Sequence, residues 1–78
     1  MESTYLKTFL EVAKTGNLTR ASETLNVTQS AVSRRIKFLE DQYETQLFNR
    51  TGPVLTLTYA GTLVREKAQR ILKLEQDL

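Results

Sequence analysis

Apolar residues recur at helical spacing near both ends of the chain. Near the start they follow the i, i+3, i+4, i+7 pattern that predicts an amphipathic helix over residues 3–14. These positions are Leu6, Phe9, Leu10 and Ala13. A second apolar stripe predicts a longer helix over residues 59–78, which Thr58 is suited to cap. Its positions are Ala60, Val64, Ala68, Ile71, Leu74 and Leu78.

The predicted last helix is long for so small a domain. A helix of about 20 residues extends about 30 Å, which is more than a small core is expected to cover. We therefore expect residues 59–78 to pair two subunits or to link this domain to another. The alternative is an ordinary amphipathic helix that packs only on its own domain.

Two shorter helices are predicted in between, over residues 18–25 and 28–43. Asn17 or Thr19 is suited to cap the first of them. Asn26 lies between the two helices, and asparagine tolerates a positive φ better than most residues other than glycine. The pattern therefore predicts two helices joined by a tight turn of about three residues.

The helix over residues 28–43, which Thr28 is suited to cap, has two different faces. At about 100° per residue, its apolar side chains cluster on one arc. They are Val32, Ile36, Leu39 and Tyr43. A separate arc carries polar side chains, with cations at one edge. They are Gln29, Ser30, Ser33, Arg34 and Lys37. We expect the first face to pack in the core and the second to meet a polar partner.

Residues 46–58 change from helical spacing to short β-prone runs. Leu47 and Phe48 precede a Gly52-Pro53 turn, and a second run, residues 54–58, follows it. Two such runs around a turn predict a small hairpin.

Composition narrows the functional classes. The 78 residues suffice for one small domain, and they include no Cys and no His. This excludes a disulfide framework, a thiolate metal site and the commonest general base, so we expect no catalytic residue, no metal and no enzyme activity. No apolar run approaches the roughly 20 residues that span a bilayer, and no signal peptide is visible. We therefore expect no membrane partner and a cytoplasmic location.

Positive charge is concentrated around the two central helices. The whole chain has a net charge of +2. Residues 17–39 contain one acidic residue, Glu23, and four basic ones, for a local charge of +3. The basic residues are Arg20, Arg34, Arg35 and Lys37. Most charge clusters of this kind simply face solvent. The position of the cations on the predicted helices therefore matters more than the net charge.

The two central helices have the pattern of a helix-turn-helix, with small Ser22 expected where they cross. In such units the second helix lies in the DNA major groove, with its N-terminal residues at the base edges. Arg pairs bidentately with guanine, Gln pairs with adenine, and Ser bonds to either bases or phosphate. We therefore predict base contacts from Gln29, Ser30, Ser33 and Arg34.

Other residues of the same two helices are expected to contact phosphate. Thr28 offers a hydroxyl at a helix start, where backbone N–H groups also favour anions. Arg20 and Lys37 supply cations, for which simple solubility is the alternative role. Arg35 points away from the polar arc and is expected to be a surface or phosphate residue.

Six segments spread over nearly the whole chain form a specific signature. They are F-L-E-V-A (9–13), G-N-L-T-R-A-S (16–22), L-N-V-T-Q-S-A-V-S-R-R-I (25–36), L-E (39–40), L-F-N-R-T (47–51) and L-T-x-A-G (57–61). Together they resemble the N-terminal DNA-binding domain of LysR-type transcriptional regulators. The resemblance implies a mainly α, winged helix-turn-helix domain over residues 1–58, with a three-helix core and a two-stranded wing, and a linker or dimerisation helix over residues 59–78. It also implies double-stranded DNA as partner, a homodimer that is usually a tetramer in the intact regulator, and a place at the bacterial nucleoid.

The wing departs from the family's pattern. Members usually carry a basic residue near positions 53 and 54 that reaches the minor groove, whereas this chain has Gly52, Pro53 and Val54. We therefore expect Pro53 and Val54 to approach the sugar-phosphate backbone, with Thr51 offering a hydroxyl. Arg50 matches the family's own arginine, and it is expected either to bind phosphate or to pair with Glu40.

The resemblance also bears on assembly. It implies a dimer interface on the last helix, made by Val64, Ala68, Ile71, Leu74 and Leu78. Intact family members carry a larger C-terminal domain that binds a small-molecule effector, and that domain is absent from this sequence. The chain is therefore expected to be either a fragment of a regulator or a stand-alone domain, of which we favour the fragment, without a cofactor of its own.

Two other functions are compatible with a small helical domain. A winged-helix protein-interaction domain would carry an acidic or apolar face on its third helix, and the arc from Gln29 to Lys37 is neither. An enzyme would need a nucleophile with a base, or a metal cluster, and only scattered carboxylates and serines remain. DNA binding is therefore the favoured interpretation.

Overall fold

Four helices and a two-stranded sheet make up the computed structural model, which describes residues 2–76. The elements are α1 (Glu2–Thr15), α2 (Leu18–Leu25), α3 (Gln29–Tyr43), β1 (Phe48–Asn49), β2 (Thr56–Leu57) and α4 (Tyr59–Gln76). This is the winged helix-turn-helix architecture that the sequence predicts, so the predicted fold class is confirmed.

Local signals fix the ends of the two central helices. The Asn17 side chain accepts a hydrogen bond of 3.0 Å from the Arg20 N–H, and Thr28 Oγ1 accepts one of 3.0 Å from the Ala31 N–H. Asn26 adopts the left-handed conformation with φ 60°, which ends α2 and turns the chain toward α3. Both caps and the turn are therefore as predicted.

The core joins all four helices to the base of the wing. Its fully buried residues include Phe9 of α1 and Phe48 of β1, whose ring centroids lie 5.3 Å apart. The other buried apolar residues are Leu6, Val12, Ala21, Val32, Ile36, Leu39, Leu47, Val64 and Ala68. Thr8 is also buried and donates a hydrogen bond of 2.9 Å to the Thr4 carbonyl.

The first three turns of α4 belong to this core. Thr58 caps the helix by accepting a hydrogen bond of 3.0 Å from the Gly61 N–H. Gly61 packs directly on the backbone of Leu47, just before β1, because a Cβ at that position would overlap the Leu47 carbonyl oxygen. Val64 is 6% exposed and Ala68 is fully buried.

This burial corrects the predicted dimer interface. Val64 and Ala68 were expected to contact a second subunit, but their side chains are already covered by the chain's own core. Ile71 is half-buried and Leu74 is exposed, so these two positions keep surface for a partner. Leu78 lies outside the described residues.

The wing is shorter than the predicted hairpin. Phe48 pairs with Leu57 and Asn49 with Thr56, and the strands extend no further. The Leu55 N–H donates to the Gly16 carbonyl at 2.9 Å. The returning chain therefore joins the ladder only at Thr56, because the residue before it docks on the turn between α1 and α2.

Candidate nucleic-acid interface

The polar arc of α3 lies at the surface, opposite the core. Its members Gln29, Ser30, Ser33 and Arg34 are all exposed. The apolar arc of the same helix is buried, with Val32 at 0%, Ile36 at 1% and Leu39 at 2% exposure. The helix therefore keeps one face inside and presents the other to solvent along its first two turns.

Little inside the chain competes for these exposed side chains. The ion pairs among residues 2–76 join Lys37 to Asp41 and Arg50 to Glu40, so neither involves Arg34. Gln29 makes one long contact, in which the Thr19 hydroxyl donates to its Oε1 at 3.5 Å. Because that bond is at the limit of hydrogen-bond length, it costs little to exchange for a bond to a ligand.

The start of α2, the start of α3 and the wing converge on one hollow of about 240 Å³. Thr19 and Gln29 line it from the two helices, and Pro53 and Leu55 line it from the wing. The fold therefore brings the first residue of α3 next to the wing tip. Sequence spacing alone does not show this neighbourhood.

The predicted phosphate contacts differ in their surroundings. Arg20 is exposed near the start of α2, and Thr28 is exposed at the start of α3. The Thr28 oxygen accepts the N-cap hydrogen bond, which leaves its O–H available to donate to an anion. Thr51, Gly52, Pro53 and Val54 are exposed in the wing. The position of all these residues is compatible with their predicted roles, which stay predictions.

Lys37 follows Arg34 by almost one turn and is engaged by an acid. Its ammonium lies 3.4 Å from an oxygen of Asp41, and the two side chains are 76% and 65% exposed. An exposed ion pair of this kind is weak, so it competes with a phosphate without excluding it.

Arg35 faces away from the polar arc, as predicted, but it is not a plain surface residue. It is half-buried, and its guanidinium donates a hydrogen bond of 3.1 Å to Thr8 Oγ1. Arg35 therefore ties α3 to α1.

Glu40 holds the wing against α3. One carboxylate oxygen accepts hydrogen bonds from the Leu47 N–H at 2.8 Å and the Phe48 N–H at 3.4 Å. The other accepts from Arg50 at 3.0 Å, and the Glu40 side chain is only 13% exposed. The predicted pairing of Arg50 with Glu40 is thus present, while the Arg50 side chain stays 43% exposed. The sequence pattern does not predict the hydrogen bonds from the Leu47 and Phe48 N–H groups, because only folding brings these groups to Glu40.

A second feature missed in the sequence is an aromatic pair beside the polar arc. Phe38 of α3 is 44% exposed, and its ring stacks on Tyr5 of α1 at a centroid distance of 4.6 Å. The helical pattern of α3 signals Phe38 as an apolar residue outside the core stripe, but only the packing of α1 against α3 supplies Tyr5.

Residues 2–76 hold no group of three or more carboxylate, imidazole or thiol side chains placed to bind a metal ion. Within the same residues, no helix is both long and apolar enough to cross a bilayer.

An exposed polar recognition helix beside a short wing defines the class of winged helix-turn-helix proteins. The chain matches the family described as bacterial regulatory helix-turn-helix protein, lysR family, over residues 4–62. It belongs to this family.

A curated protein of similar sequence is named as a transcriptional regulator. The chain is 49% identical over 74 residues to the HTH-type transcriptional regulator YofA of Bacillus velezensis. The match covers 95% of this chain and 26% of that relative, so the chain spans about a quarter of the relative's length.

Solved structures agree with the sequence match. Vibrio fischeri DarR in complex with DNA superposes with a TM-score of 0.93 at 39% identity, covering 99% of this chain and 26% of DarR. The CbnR_DBD-DNA complex superposes with a TM-score of 0.92 at 36% identity, covering 99% of this chain and 88% of that one.

Proposed function

We propose that this chain is the sequence-specific DNA-binding module of a LysR-type transcription regulator, with α3 in the major groove of double-stranded DNA. The observation that carries the proposal is the exposed polar face of α3, where Gln29, Ser30, Ser33 and Arg34 lie opposite a fully buried apolar face. The DNA complexes of DarR and CbnR_DBD support it, because this chain shares their fold.

The contacts divide into two groups. The four residues of the α3 arc are expected to read base edges, with Arg34 suited to guanine and Gln29 to adenine. Arg20, Thr28, Lys37, Arg50 and Thr51 are expected to contact phosphate, which positions the domain and supplies the salt-dependent part of the affinity. Pro53 and Val54 extend this backbone contact from the wing.

We also propose that the active form is a homodimer joined through α4. Since Val64 and Ala68 are buried, the proposed interface moves to the neighbouring face of the helix. That face carries exposed Leu63 and Leu74 and half-buried Ala60 and Ile71, with Lys67 among them. A two-fold dimer would place its two recognition helices on half-sites about 34 Å apart, or less if the DNA bends, and would read a dyad-symmetric site.

The DNA proposal is tested by selecting sites from a random duplex library and measuring affinity by fluorescence anisotropy at 50 and 200 mM salt. Binding to a selected site that is at least about 1000-fold tighter than binding to random duplex supports the proposal. Binding to random duplex that falls steeply with salt supports the phosphate contacts. No binding to any duplex at 50 mM salt would contradict the proposal and favour a protein-interaction domain.

The dimer proposal is tested by replacing Leu63 with Glu and measuring mass in solution by sedimentation. A buried charge at a subunit interface is strongly unfavourable, so the variant is expected to be monomeric where the unchanged chain is dimeric. Gln69→Glu is the matched control, since Gln69 is exposed on another face of α4. If both variants keep the dimer, the interface lies elsewhere.

A further inference from the structure

The exposed face of α3 carries an acid among its cations. Asp41 follows Arg34 by seven residues, which is almost two helical turns, so the two side chains lie on the same face of the helix. It follows Lys37 by four residues and forms the ion pair described above, at 3.4 Å. The carboxylate is 65% exposed and lies on the side of α3 that is opposite the core.

We propose that Asp41 lowers the affinity of this chain for DNA of any sequence by competing with phosphate for the Lys37 ammonium. This inference rests on the proposed function. When a duplex approaches, Lys37 bonds either to Asp41 or to a phosphate oxygen, because its ammonium lies on one flexible side chain. In the first state, the Asp41 carboxylate occupies the ammonium in place of a phosphate, and it neutralises the charge of Lys37.

The expected consequence is the same loss of affinity on every duplex. The contact between Lys37 and phosphate is made on random and selected sequences alike, whereas the base contacts of the α3 arc are made on a selected site. Asp41 therefore lowers both affinities by about the same factor. It acts through Lys37 and touches no base.

The neighbouring charged groups of α3 have other partners, away from the polar arc. Glu40, on the same helix, is turned toward the wing, where it accepts from Leu47, Phe48 and Arg50. Arg35 is engaged with Thr8 of α1. Among residues 2–76, Asp41 is therefore the carboxylate paired with a cation of the exposed face.

The test compares Asp41→Asn with Glu66→Gln in the 78-residue chain. Both changes remove one negative charge, but Glu66 is exposed on α4 and makes no ion pair with the described residues. Asp41→Asn is expected to tighten binding to random duplex about two- to fivefold per bound subunit, the range of exposed ion-pair energies. It should steepen the salt dependence by up to about one released counterion per subunit. Glu66→Gln should change both values much less.

A double variant separates the local pair from general charge. In the Lys37→Ala background, Asp41→Asn is expected to lose most of its effect, because the competing ammonium is gone. An equal gain from Asp41→Asn and Glu66→Gln, an undiminished gain in the Lys37→Ala background, or no gain at all would overturn the inference. These outcomes require an unchanged chain that binds DNA, so they differ from failure of the proposed function, in which the unchanged chain binds no duplex.

Discussion

The helix-turn-helix and the wing of this domain are stabilised in different ways. Residues 17–43 are shaped mainly by local contacts. Asn17 and Thr28 cap the two helices, and Asn26 makes the turn by bonding to residues three and four positions earlier. The wing has two strands of two residues each, and it is held by partners in distant parts of the chain. The difference shows that the same domain contains one unit set by local chemistry and one set by tertiary contacts.

The wing has two main anchors outside itself. The Gly16 carbonyl accepts from the Leu55 N–H, and the Glu40 carboxylate accepts from the Leu47 and Phe48 N–H groups, where the wing begins. A short two-stranded hairpin is marginal in water without such support. The wing should therefore be the more sensitive of the two units to changes made elsewhere in the chain.

The largest expected effect comes from Gly16→Ala. Gly16 has φ +67°, and a Cβ there would overlap Val54 Cγ1 and lie 3.0 Å from the Leu55 carbonyl oxygen. The left-handed conformation and the crowding together should lower the free energy of unfolding by about 2–4 kcal/mol. Urea denaturation measures this. Gly52→Ala is the control, because a Cβ at Gly52 has nothing within 4 Å. Similar stability of the two variants would show that the wing does not depend on the α1–α2 turn.

A somewhat smaller loss is expected from Glu40→Ala. The change leaves the buried Leu47 N–H without its acceptor, which should cost about 1–3 kcal/mol of unfolding free energy. Arg50→Ala removes only the half-exposed ion pair and should cost less than about 1 kcal/mol. Thermal unfolding of both variants separates the two parts of the contact. Equal losses would mean that the ion pair, and not the backbone donors, holds the wing.

On the helix-turn-helix side, Arg34→Ala should leave stability unchanged and weaken DNA binding. The expected loss on a selected site is about 1–3 kcal/mol of binding free energy, with relaxed preference at one base pair. Competition binding against single-base variants of the site measures it, and Arg70→Ala of α4 serves as an exposed arginine control. A loss that is the same for every sequence would contradict base reading by Arg34.

The smallest effect is expected from Lys37→Ala. A phosphate contact weakens binding to all duplexes about equally and reduces the salt dependence by about one counterion. Because Asp41 already holds Lys37 part of the time, the loss should stay below about 1 kcal/mol. Salt titrations on selected and random duplexes measure it. A loss confined to the selected site would give Lys37 a base-reading role instead.

The predicted dimer interface shows what a sequence pattern leaves open. The apolar stripe of the last helix predicts correctly that one face is covered, but it does not say what covers it. The chain's own core covers Val64 and Ala68, and exposed apolar surface remains at Leu63 and Leu74. An apolar stripe on a helix indicates that its residues are buried. Whether the same chain or a second subunit buries them depends on how the whole core packs.

The sequence by itself determined the helices, their caps, the turn at Asn26 and the polar face of α3, because these depend on residues within about two helical turns of one another. It also indicated the Arg50–Glu40 pair as one of two alternatives. The tertiary structure decided the shape of the wing, the placement of Pro53 beside Gln29, the role of Arg35 and the exposed face of α4. The physical reason is that these features depend on contacts between segments far apart in the chain. Hydrogen bonds to backbone N–H groups, close approaches at glycine and burial in a common core form only when those segments meet.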